Sequence, residues 1–78
     1  MPNHKRLTED KRQRDAIWQA LRPRYLRYLG RTGMHAKTLA ADLGISPESL
    51  NKYLAEAASP AWQRLRMMEE YIDGRDQR

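Results

Sequence analysis

Residues 36–56, AKTLAADLGISPESLNKYLAE, constrain the fold more than any other part of the chain. Two short amphipathic runs flank a three-residue break, Gly44-Ile45-Ser46. Leu39, Ala40 and Leu43 share one side of the first run, at helical spacing. Gly44 then supplies a backbone position that tolerates positive φ. Ile45 puts an apolar side chain into the turn. Ser46, Pro47 and Glu48 follow as N-cap, first helical residue and first-turn acid, the order a helix start requires. Leu50, Tyr53 and Leu54 give the second run its apolar side. A turn this short folds the second helix back across the first at a steep angle. The first helix therefore needs a small residue at the crossing, and Ala40 fills that place. The pattern predicts helices over 35–43 and from Pro47 to about Glu56.

The flanking segments are helical too. Thr8 is a candidate N-cap with Glu9 and Asp10 in the first turn, and Ile17, Trp18 and Leu21 lie on one side. Pro23 interrupts or restarts that pattern. Tyr25, Leu26, Tyr28 and Leu29 are the apolar positions that follow, and Gly30 or Gly33 ends them. One kinked helix and two separate helices are both compatible with residues 8–29. Ser59-Pro60 repeats the cap-and-proline start for a last helix over 60–73. No alternating run suggests a strand. The fold class is all-α, a four- to five-helix bundle in one domain over 8–74, with a flexible basic arm at 1–7 and a tail at 75–78.

Charge is unevenly placed. The 78 residues carry 15 Lys and Arg against 10 Asp and Glu. Residues 1–32 alone hold nine basic and three acidic side chains, so the excess lies at that end. Arg dominates the basic set, and its planar fork suits phosphate and guanine edges. Arg24, Arg27 and Arg31 fall at i, i+3 and i+7, a single helical stripe. His35 and Lys37 sit where the first motif helix begins, and backbone N–H groups at such an end also attract phosphate. A solvated helix face is the alternative for each of these residues alone. Lys5, Arg6, Lys11, Arg12 and Arg14 add charge that could wrap a duplex or enter a minor groove.

Other classes find little support. Cysteine is absent, which excludes disulfides and thiolate metal sites. His4 and His35 stand apart, and no phosphate loop, carboxylate pair or metal-ligand spacing appears. No enzyme, catalytic residue, metal, cofactor or small-molecule ligand is expected. No apolar leader or 18-residue apolar run occurs, so a cytoplasmic location without membrane contact is expected.

The 36–56 segment has the form of a helix-turn-helix, and it resembles the Cro and phage-repressor type of DNA-binding domain over roughly Tyr25 to Ile72. RPRYLRYLGRTGM before the motif and SPAWQRLRMMEEYI after it are also similar to small anti-CRISPR-associated repressors of phages. The resemblance implies a lambda-repressor-like fold whose second motif helix enters the major groove. Ser46, Pro47, Glu48, Ser49, Asn51, Lys52 and Ala55 would then face the bases. Asn51 can pair bidentately with adenine, Lys52 can reach guanine or phosphate, and Glu48 can accept from cytosine. No Gln or Arg occupies this helix, a departure that leaves its base-reading set sparse. Arg24, Arg27, Arg31, His35 and Lys37 are the phosphate-contact candidates.

The last helix is richer in apolar residues than a small core needs. Ala61, Leu65, Met68 and Ile72 form one stripe, and Trp62, Met67 and Tyr71 widen it. The surplus suggests a homodimer, with Trp62, Met67 and Tyr71 at the contact over Leu65 and Met68. The implied function is a homodimeric repressor on an inverted-repeat operator, of phage or mobile-element type and nucleoid-associated, with autoregulation as its extension. The alternative is a helix-turn-helix module for protein interaction or DNA architecture.

Overall fold

The computed structural model describes the backbone of residues 2–75 and the side chains of 9–75. Four helices follow one another: α1 (Pro2–Thr32), α2 (Ala36–Leu43), α3 (Pro47–Leu54) and α4 (Trp62–Asp73). No strand occurs among the described residues. At 1.5 Å per residue, α1 runs for about 46 Å. The molecule itself measures 47 × 25 × 18 Å, so α1 sets its long axis. Along it α4 packs as the main partner, and α2 packs on α3.

Several boundaries differ from the sequence reading, among them the end of α3, which stops at Leu54 rather than about Glu56 because Glu56 takes positive φ. Residues 2–7, expected as an arm, form the first turns of α1, and Thr8 lies inside the helix rather than capping it. Pro2 is tolerated in a first turn, and residues 3–22 hold neither glycine nor proline. Met1 and residues 76–78 of the expected arm and tail lie outside the described residues. Pro23 does not divide α1. Its missing N–H removes the helical donor to the Gln19 carbonyl, and Gln19 faces solvent, where water can replace that donor. Gly30 stays helical. Gly33, at φ 71°, closes the helix by donating to Leu29, while Thr32 Oγ1 accepts from the Met34 N–H.

The last helix starts later than expected, with Ala61 rather than Ser59 at its N-cap. Pro60 is fully buried and Ala61 is extended at φ −69° and ψ 164°. The Ser-Pro pair therefore closes a loop against the core instead of opening a helix. Ala61 is exposed, which removes it from the apolar stripe, and α1's Leu26 is 43% exposed rather than packed.

The aromatic set explains how the helices are held. Six aromatic residues are present and none is Phe. Each ring buried here brings an N–H or O–H that must find a partner. Trp18 Nε1 donates to the Tyr53 carbonyl at 3.0 Å, and Tyr25 Oη to the Met68 carbonyl at 2.6 Å. Tyr71 Oη donates to Asp42 at 3.2 Å, and Trp62 Nε1 to Asp10 at 2.5 Å. Each bond joins two different helices. The rings also meet one another: Trp18 lies edge-on to Tyr53 at 6.1 Å, and Tyr25 stacks on Tyr71 at 6.4 Å. Leu39, Leu50, Leu65, Met68 and Ile72 fill the space between them, each fully buried. Burial of one such side chain stabilises the fold by about 1.5–3 kcal/mol.

Candidate nucleic-acid interface

The α2–turn–α3 unit is built as its sequence requires. Leu39, Ala40, Leu43, Ile45, Leu50 and Tyr53 are all buried, and Ala40 has no exposed surface. Gly44 adopts φ 73° and ψ 28°. Its N–H donates to the Ala41 carbonyl, and the Ile45 N–H to that of Ala40. These paired bonds satisfy two of the carbonyls that a helix end leaves free. At the start of α3, Ser46 Oγ accepts from the Ser49 N–H at 3.1 Å, and Pro47 occupies the first turn.

The opposite face of α3 is open. Ser46, Pro47, Glu48, Asn51, Lys52 and Ala55 are exposed, and Ser49 is half-buried. Ser46 differs from the rest because its hydroxyl is engaged twice, with the Ser49 N–H and, at 2.9 Å, with Ser49 Oγ. Its capping role competes with a base contact. Asn51 and Lys52 therefore carry the long polar reach of this face, with Glu48 one turn before Lys52. His35 is the α2 N-cap in extended conformation, without a side-chain cap bond, and Lys37 is exposed in the first turn. Both stand at the positive end of the α2 dipole.

The arginine stripe is placed differently from the motif. Arg24 Nη2 lies 2.8 Å from Asp73 Oδ1, and Arg31 Nη2 donates to the Arg75 carbonyl at 2.8 Å. Arg31 also sits 5.7 Å from the Tyr28 ring centre. The stripe thus runs along the C-terminal end of α4, and Arg24 is half-buried there. Arg27 is exposed between them in sequence.

The apolar surplus of α4 is largely spent within the chain. Leu65 and Met68 are core. Trp62 turns its indole to Asp10, while Tyr71 contacts Tyr25, Tyr28 and Asp42 and carries the Arg75 guanidinium 3.7 Å from its ring centre. Burial, then its contacts with Tyr28, push the Tyr71 hydroxyl up to about 12. Burial first, and then Tyr71, raise that of Tyr25 further. Met67 remains half-buried beside a groove lined by Leu43, Ile45, Tyr53 and Arg64.

Two residues outside the motif support it. Arg22 Nε donates to the Leu54 carbonyl at 2.6 Å, and its guanidinium lies 3.8 Å from Glu56. Arg64 Nη1 donates to Tyr53 Oη at 2.8 Å. The sequence offered a sign of the first: Trp18 and Arg22 are one turn apart, on the flank of the apolar stripe. For Arg64 it offered none. Among the described residues, no group of three or more His, Cys, Asp or Glu is placed to hold a metal, and no helix is long and apolar enough to cross a membrane. Comparison with protein-family models, with curated proteins and with solved structures finds no match to this chain.

Proposed function

We propose that this chain is a sequence-specific regulator of transcription that inserts α3 into the major groove of double-stranded DNA. The observation that carries the proposal is the division of α3 into two faces. Leu50 and Tyr53 are buried, while Glu48, Asn51 and Lys52 project from the other side. A polar face on a short helix, presented by a rigid turn, is what base-edge reading needs. His35 and Lys37 at the start of α2 would hold neighbouring phosphates, with Arg27 a further contact. Arg24, Arg27 and Arg31 are each engaged within the chain, so each would serve phosphate only by exchanging a partner, which for Arg24 and Arg31 lies at the end of α4.

One α3 spans a few base pairs, so specificity calls for two copies on an inverted repeat, with reading helices roughly 34 Å apart. Of the three α4 candidates outside the buried core, Trp62 and Tyr71 are hydrogen-bonded to Asp10 and Asp42, which leaves Met67, half-buried against the core, to centre the homodimer. Bound at an operator, such a dimer represses by occlusion, and its own concentration sets the occupancy. Selection of bound duplexes from a random pool by the purified chain tests the proposal. The expected product is an inverted repeat with half-site centres about one helical turn apart. Recovery of unselected sequence would leave a protein-interaction or DNA-architectural role in its place.

A further inference from the structure

The last turn of α3 holds two of its three candidate base-reading residues, Asn51 and Lys52, and all its terminal carbonyls need donors from outside the helix. Ala55 N–H reaches the Asn51 carbonyl at 2.9 Å, and Ala57 N–H reaches that of Lys52 at 2.8 Å. The Tyr53 carbonyl receives the Glu56 N–H at 3.2 Å and the Trp18 indole at 3.0 Å. Among the described residues no backbone N–H reaches the Leu54 carbonyl, and Arg22 Nε donates to it at 2.6 Å. The chain then turns back through Glu56, which holds φ 63°, a conformation that side-chain-bearing residues seldom adopt. Its carboxylate lies against the same guanidinium.

We propose that Arg22 is a positioning residue for DNA reading: it fixes the C-terminal end of α3, and with it Asn51 and Lys52, without contacting DNA. The inference rests on the reading of α3 proposed above. Arg22 is suited to the task because its guanidinium is planar and always charged, and it meets a carbonyl and a carboxylate at once. Its charge also opposes the negative end of the α3 dipole. Trp18, one turn earlier on α1, holds the preceding carbonyl, so α1 grips α3 at two successive peptides. Bidentate recognition of a base edge depends on the angle of the side chain, and release of this end would let Asn51 and Lys52 swing. Arg22 belongs to the basic end of the chain, yet its part is geometric.

The test compares the full-length chain with Arg22→Lys, Arg22→Met and Glu56→Gln. Each binds a duplex obtained by selection and a scrambled duplex, at several salt concentrations. All measurements are made where circular dichroism shows the protein folded. Arg22→Met should lose about tenfold or more on the selected duplex, the scale of one base contact, with scrambled binding and salt slope unchanged. Arg22→Lys keeps the charge but lacks the Nε–H, and it should fail to restore the loss. Glu56→Gln keeps the carbonyl bond and should stay within about threefold of the parent, as befits a half-exposed pair. Equal losses on both duplexes with a flatter salt slope, or full rescue by lysine, would make Arg22 a phosphate contact and overturn the inference. So would unaltered discrimination, or failure of both Arg22 variants to fold. A parent chain that does not distinguish the two duplexes would instead overturn the reading of α3.

Discussion

Two helices end against α1, and arginines from α1 meet both ends by different means. At the end of α3, Trp18 and Arg22 donate to backbone carbonyls, Trp18 from a fully buried position. At the end of α4, the half-buried Arg24 pairs with the exposed Asp73 carboxylate, and the exposed Arg31 reaches the Arg75 carbonyl. A bond to a desolvated carbonyl is costly to lose, because the carbonyl has no water to turn to. An exposed ion pair exchanges with water at little cost. The buried Trp18 bond therefore makes the end of α3 the costlier one to release, whereas Arg22 at 29% exposure is no drier than Arg24 at 27%. The comparison also separates arginines that composition alone treats as one class: the flank of α1 on which each falls decides what it does.

The sharpest way to break the comparison is Trp18→Ala, which removes a fully buried ring together with the donor to Tyr53. The expected loss is about 3–5 kcal/mol by urea titration, a large part of what a domain this small can have. A loss below about 1 kcal/mol, the level of a surface change, would mean that α1 does not anchor α3 there. Glu56→Gly tests the same end in the opposite direction. Glycine relieves the φ 63° position, worth about 1–2 kcal/mol, while the half-exposed ion pair lost with Glu56 is worth less. A small net stabilisation should follow, and a destabilised variant would show that the ion pair outweighs the backbone.

At the other end, Asp73→Asn should change stability by less than about 1 kcal/mol, since the pair it removes is partly exposed. A larger effect in a thermal melt would abolish the contrast between the two ends. The smallest effect is nil at neutral pH and emerges only in alkali. Tyr25 and Tyr71 are raised by burial above their ordinary value of 10.0, so the unfolded chain loses these protons first. Their stabilisation is complete below pH 10 and falls as pH rises toward about 12 and beyond. Tyr71→Phe should flatten that decline, and a slope unchanged from the parent would place its source elsewhere.

The motif was legible because several independent requirements fall on consecutive residues. Ala40 at the crossing, Gly44 in the turn and Ser46-Pro47 at the helix start each have one physical reading, and together they place the buried face. The second Ser-Pro pair looks the same in sequence, but Pro60 is buried and the helix waits until Trp62. Local capping chemistry cannot tell a helix start from a loop that the core holds down. Part of the apolar surplus of α4 has a use within the chain that a helical wheel does not show. Trp62 and Tyr71 look spare on a helical wheel, yet their rings are used against α1, whose full length was hidden by Thr8 and Pro23. The charge pattern singled out Arg24 and Arg31 but not their partners at the end of α4, which lie more than forty residues away in the chain, and it did not single out Arg22.

The central claim is that the exposed face of α3 reads bases. Fluorescence anisotropy on a selected duplex and on its scrambled counterpart, with the parent chain, Asn51→Ala and Lys37→Ala, tests it most directly. Asn51→Ala should weaken binding to the selected duplex by about 1–3 kcal/mol and leave the scrambled duplex unaffected. Lys37→Ala should weaken both alike and reduce the salt slope by about one contact. Equal affinity of the parent and Asn51→Ala for both duplexes would contradict the claim.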